Sequence, residues 1–130
     1  MNRREAREQA FVFVFEKGFN SDMSLQDIIE NAQLAEDKVI DEFAERLFNG
    51  VYDNIAEIDS VISDNLNGWT INRISRVTLS LLRLAVYQMN YCDDIPVSVA
   101  INEAVELAKK FATDEDAAYL NGVLGSISRS

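Results

Sequence analysis

"SRVTLSLLRLAVYQMNY", residues 75 to 91, is the stretch on which the reading of this 130-residue chain turns. Val77, Leu79, Leu81, Leu82, Leu84, Ala85, Val86 and Met89 leave almost no polar face, and a helix of that composition is central rather than peripheral. Downstream, Pro96 opens another helix in which Val97, Ile101, Ala104, Val105, Ala108 and Phe111 form an inward stripe and Glu106 and Lys110 an exposed i,i+4 pair. A last helix from about Asp114 turns Leu120, Val123, Leu124 and Ile127 inward, with three acidic residues complementing its N-terminal dipole.

Upstream, "NGW" at 67 to 69 marks a turn. Before it, Ile55, Ile58, Val61, Ile62 and Leu66 keep helical spacing, and a helix from about Glu36 carries Val39, Ile40, Phe43 and Leu47, with a bend or break near Gly50 and Asn54. A short helix starts at Ser24, and the first runs from the N-cap Asn2 to about Gly18. One proline, five glycines and no sustained alternation exclude a convincing strand. The fold class is all-α, with about seven helices. The chain is expected to form a single domain over 1–130, with helical halves at about 1–66 and 67–130 and no flexible linker between them.

Charge is uneven. The chain carries −10 overall, yet residues 1 to 10 sum to +1 and residues 69 to 91, with Arg73, Arg76 and Arg83, to +3. Residues 16 to 64 carry −10 and 93 to 116 carry −5. Such a body repels nucleic acid over most of its surface and admits it at two basic islands, while its acidic faces suit a basic protein. The first island opens "NRREAREQAF", residues 2 to 11. On a helical wheel Arg3, Arg4 and Arg7 fall within about 100°, along the arc that Phe11, Val14 and Phe15 continue. Unpaired arginine cannot share a core with Phe11, so the helix is expected to project past that core as a basic ledge for phosphates.

Other chemistries find little support. The chain has no histidine, and its single cysteine, Cys92, lacks both a histidine and a CxxC partner, so no nucleophilic or acid–base constellation is present and no enzyme is expected. No cofactor loop of GxG type and no metal site is legible. "DEDAA", 114 to 118, lacks the spaced ligands of a calcium loop and reads as a helix start. Asp93 with Asp94 and Glu36 with Asp37 read as solvated surface. No export leader or membrane-length apolar run is visible, which predicts a cytoplasmic protein. A helix-turn-helix over "TINRISRVTLSLLRLAVY" fails because its second helix has no polar base-reading face.

"INEAVELAKKF" (101–111) followed by "YLNGVLGSI" (119–127) resembles the C-terminal signature of the NusB family of bacterial transcription antitermination factors. "RREAREQAF", "WTINRISRVTLSLLRLAVYQM" and "IPVSVAINEA" fall in the same order, so the resemblance covers nearly the whole chain. It implies two roughly perpendicular three-helix groups and binding of boxA-type single-stranded RNA from ribosomal RNA leader transcripts. It also implies action with NusE, the small-subunit ribosomal protein, in an RNA polymerase antitermination complex, and it admits a homodimer. The same module resembles the RNA-binding domain of an rRNA cytosine methyltransferase, so the alternatives are a stand-alone relative of that domain or a non-catalytic interaction module. Thr78 stands where many relatives carry aspartate, Ala118 where a basic residue is usual, and Gly125 where "NGVLD" has its acid.

Arg3, Arg4, Arg7, Arg76 and Tyr119 are the candidate RNA contacts, Tyr119 because the family carries an aromatic just before the "NGVL" motif and such rings stack unpaired bases. Arg83, in the most apolar helix, needs a carboxylate or several carbonyls, and Glu103, early in the neighbouring helix, is the expected partner, since both sit in family landmarks.

Overall fold

The computed structural model describes residues 1–36 and 39–130, without the Glu36 side chain. Seven α-helices and one 3-10 turn are found among them: α1 (Arg3–Phe19), α2 (Leu25–Glu36), α3 (Glu42–Asp53), α4 (Ile55–Asp64), α5 (Arg76–Tyr91), α6 (Val97–Phe111) and α7 (Asp114–Arg129), with the 3-10 turn at Ile71–Arg73 before α5.

Local chemistry sets most of these ends. Asn2 and Glu5 form a reciprocal capping box at α1, the Asn2 side chain accepting from the Glu5 amide at 2.8 Å. Thr113 and Asp116 do the same at α7. Asp41 accepts from the Phe43 and Ala44 amides at α3, and Ser75 from Thr78 at α5. The turn after α4 uses Asn67 (φ 50°) and Gly68 (φ 92°), both in the left-handed region that asparagine and glycine tolerate best.

α5 is central, packing against α1, α3, α4, α6 and α7. Leu81, Leu82, Leu84, Ala85 and Val86 are all buried. α1 is the second hub, packing against α2, α3, α5 and α6. Gly50 sits inside α3 rather than at a break because the Tyr87 ring of α5 occupies the space a Cβ would need. The break comes at Asn54 instead.

Several expectations need correction. The helix foreseen from Glu36 begins at Glu42, capped by Asp41, and Val39 is 85% exposed ahead of it. Asp37 and the Glu36 side chain, hence the carboxylate pair read there, lie outside the described residues. The buried face of α6 is Ala100, Ala104, Leu107 and Ala108, whereas Val97 and Phe111, expected inside, are exposed. The stripe is rotated because small alanines let α5 and α7 approach closely on that side. Glu106 contacts Lys109 at 3.5 Å, while Lys110 reaches Glu8 on α1 at 2.6 Å.

Arg83 does not meet Glu103. Its guanidinium forks onto Asp59 of α4, with both hydrogen bonds at 2.8 Å. Burial works against its charge, but the hydrogen bonds and charge of Asp59, helped by Tyr52, outweigh that and hold it more firmly protonated. α4 packs on the face of α5 that carries Arg83, and Asp59 is its nearest acid; Glu103 is engaged by Arg4.

Candidate nucleic-acid interface

One face of α1 carries a row of aromatic rings four residues apart, the spacing that places side chains above one another on a helix. Phe11 and Phe15 have ring centroids 6.0 Å apart, and Phe15 and Phe19 4.8 Å apart in an edge-on contact. Phe111, at the end of α6, meets Phe11 at 5.0 Å. The row grades from buried Phe11 through half-buried Phe15 to Phe19, which is 55% exposed. Arg76, in the first turn of α5, stacks its guanidinium 4.1 Å above the Phe19 ring. The aromatic row was not singled out from sequence as a surface, although the i,i+4 recurrence of Phe11, Phe15 and Phe19 is its signal.

The opposite end of α1 holds the first basic island. A 17-residue helix is about 25 Å long, so Arg76 and Arg3 mark two ends of one track rather than one cluster. The ledge expected of the three arginines is only partly present. Arg3 is exposed and lies 4.0 Å over the Phe43 ring. Arg4 projects outward but is paired to Glu103 through hydrogen bonds of 3.0 and 3.2 Å, which raises its already high pKa.

Arg7 is a correction: it is 6% exposed, and its Nε donates to Gln88 Oε1 at 2.7 Å. Burial lowers its pKa, the nearby charge of Glu103 opposes that, and no carboxylate stands in salt-bridge contact with it among the described residues. The helix therefore does not run past the core at Arg7. The neutral acceptor on α5 makes a buried guanidinium tolerable.

Tyr119 lies on α7, half-buried, at a cavity of about 210 Å³ that it lines with Trp69, Arg73, Thr78 and Asp116. Its hydroxyl is buried with no hydrogen-bond partner among the described residues, and burial pushes its ionisation upward. Trp69, 57% exposed, and Arg73 stand at the same cavity and were not among the sequence candidates. Thr78, at the position noted as a departure, is buried and accepts from the Ser75 hydroxyl at 3.0 Å.

A basic end, an aromatic row and a second basic end thus follow one helix, and a cavity between the start of α5 and α7 carries an unsatisfied tyrosine hydroxyl. The NusB family model matches residues 4–129. The chain belongs to the NusB family. It is 45% identical over 128 residues to the transcription antitermination protein NusB of Listeria welshimeri, covering 98% of this chain and 97% of that one. The NusB of Clostridium novyi is 38% identical over the whole of both chains.

Solved NusB structures superpose closely. T. maritima NusB shares 34% identity with a TM-score of 0.87, covering 100% of this chain and 92% of that one. Antitermination factors NusB and NusE in complex with dsRNA form another match, at 24% identity and TM-score 0.87 over 98% of this chain and 96% of that one, which speaks to the NusB fold alone. No helix among the described residues is long and apolar enough to cross a membrane.

Proposed function

We propose that this chain is a non-catalytic transcription antitermination factor, one RNA-binding domain over residues 1–130. It binds boxA-type single-stranded RNA of ribosomal RNA leader transcripts jointly with the ribosomal protein NusE and joins the RNA polymerase antitermination complex in the bacterial cytoplasm. The observation that carries this reading is the track along α1, where Arg3 and Arg4 at one end and Arg76 at the other flank an aromatic row that reaches the surface at Phe15 and Phe19. Single-stranded nucleic acid is bound by that combination of backbone charge and stacking rings. Tyr119 supplies a further ring beside the start of α5.

The same geometry supports a need for NusE. Arg4 is already neutralised by Glu103 and Arg7 is buried, so few arginines remain free for phosphates, and the affinity of the chain alone is low. A chain of net charge −10 complements a basic ribosomal protein. The test is a titration of boxA-type RNA with and without NusE. Binding that NusE strengthens tenfold or more supports the reading; binding to neither sinks it in favour of a protein-interaction module. Within that assay Tyr119→Ala weakens RNA binding roughly tenfold. Tyr119→Phe keeps the affinity and raises the melting temperature slightly, because it removes an unpartnered hydroxyl. Full affinity in Tyr119→Ala would leave Tyr119 a packing residue.

A further inference from the structure

The Phe43 ring, in the first turn of α3, gathers three guanidinium groups. Arg3 lies 4.0 Å from its centroid, Arg7 5.3 Å and Arg46 5.8 Å. Arg3 and Arg46 are thus no more than about 10 Å apart, close to the Debye length at physiological salt, with the buried charge of Arg7 between α1 and α5 beside them. Three like charges around one ring repel one another. Of these three arginines only Arg46 has a carboxylate in salt-bridge contact among the described residues, Asp94, which accepts from both arms of its guanidinium at 3.1 and 2.8 Å.

Packing does not require this concentration of charge. The arginine and aspartate side chains of that pair are 43% and 60% exposed, and exposed pairs contribute little to folding. What remains is three guanidinium groups around one ring with, among the described residues, a single carboxylate in salt-bridge contact with them, at the end of the α1 track on a chain of net charge −10. Asp93, exposed next to Asp94, is the other acid in that loop. Arg46 lies in the most acidic part of the sequence, where nothing local marks it as a nucleic-acid contact.

We infer that Arg46 and Arg3, gathered around Phe43, form a phosphodiester subsite that carries the bound RNA strand from α1 onto α3, and that Asp94 fills this subsite as an internal anion until RNA displaces it. The inference rests on the RNA-binding function proposed above. A guanidinium fork that grips a carboxylate with two parallel bonds grips a phosphate in the same way, so one anion exchanges for another without rebuilding the site.

The test is a set of anisotropy titrations with labelled boxA-type RNA and saturating NusE over a range of salt, using the wild type, R46Q, D94N, R46Q/D94N and R4A. R46Q should lose roughly three- to tenfold in affinity and flatten the salt dependence by about 0.7, the slope for one phosphate of a single strand. D94N should gain at least twofold, and that gain should vanish in the double variant.

If R46Q and D94N bind as the wild type while R4A is weakened, the subsite is wrong and the RNA function stands. If no protein, wild type included, binds RNA, the functional reading falls and takes the subsite with it. If R46Q weakens binding of NusE measured without RNA, the cluster is a protein contact, and the inference is overturned.

Discussion

Arg4 and Glu103, 99 positions apart, tie the first turn of α1 to α6 through two hydrogen bonds of 3.0 and 3.2 Å. Arg4 is two-thirds exposed and Glu103 one-fifth, so the pair stands where a phosphate can reach the arginine but must first dislodge the acid. Glu103→Gln should therefore strengthen RNA binding, by about threefold or more, and steepen its salt dependence, because an arginine freed from its carboxylate adds one phosphate contact. Titrations at two salt concentrations check this. Equal affinity for the variant would mean that Arg4 does not touch the RNA.

Arg7 behaves differently from its neighbours. Arg3→Ala and Arg4→Ala should leave the melting temperature nearly unchanged, since both side chains are exposed. Arg7→Ala should cost about 2 to 4 kcal/mol, through the cavity it opens and the loss of the bond to buried Gln88. Urea unfolding of the three single variants separates them, and a small effect at Arg7 would contradict its burial.

The Arg83–Asp59 bridge lies between surface and core, its side chains 17% and 29% exposed. Arg83→Leu should destabilise by about 2 kcal/mol, between the typical values for exposed and fully buried pairs, because Asp59 is left facing an apolar helix but keeps some water. Adding Asp59→Leu should recover much of that loss, whereas Glu103→Leu should recover none. A double-variant cycle in urea reads the difference.

Tyr52 gives the fold an alkaline limit. Its hydroxyl donates to the Val14 carbonyl at 2.9 Å, and burial, the largest influence, pushes its pKa from the ordinary 10.0 up to about 12. The folded chain holds the proton more tightly than the unfolded one. The stabilisation is complete below pH 10 and is lost as pH rises from 10 to 12, a loss of about 2 kcal/mol. Tyr52→Phe should be less stable at neutral pH by about 1 kcal/mol, the net worth of one hydrogen bond, yet decline less steeply above pH 10. Parallel slopes for the two proteins would place the alkaline sensitivity elsewhere.

How far the fold could be read in advance depended on whether the signal was local. The all-round apolar composition of residues 75 to 91 was enough to make α5 central, and the stripe of Leu120, Val123, Leu124 and Ile127 was enough to bury one face of α7. Choices between elements were not local. Asp59 and Glu103 are both acids within reach of a neighbouring helix, and only the way α4 and α6 lie on α5 decides which one meets Arg83. Arg7 was legible in part: the wheel placed it in line with Phe11 and Val14, and the polar Gln88 inside an apolar helix was the overlooked sign of a buried partner. Arg46 gave no sign, because its distinction comes from Phe43 and Arg3, which the fold alone brings to it.

α1 emerges from the ribosome before every element that covers it. It needs α3, α5 and α6, and the last of these ends at Phe111, 92 residues after Phe19. At about 5 to 20 residues per second, Phe11, Phe13 and Val14 wait roughly 5 to 18 seconds for their partners. Over that interval the nascent chain is mostly the acidic stretch from 16 to 64, whose self-repulsion keeps neighbouring unfinished copies apart on a polysome. The negative charge that repels RNA from most of this surface thus also shields the uncovered apolar face of α1 during synthesis.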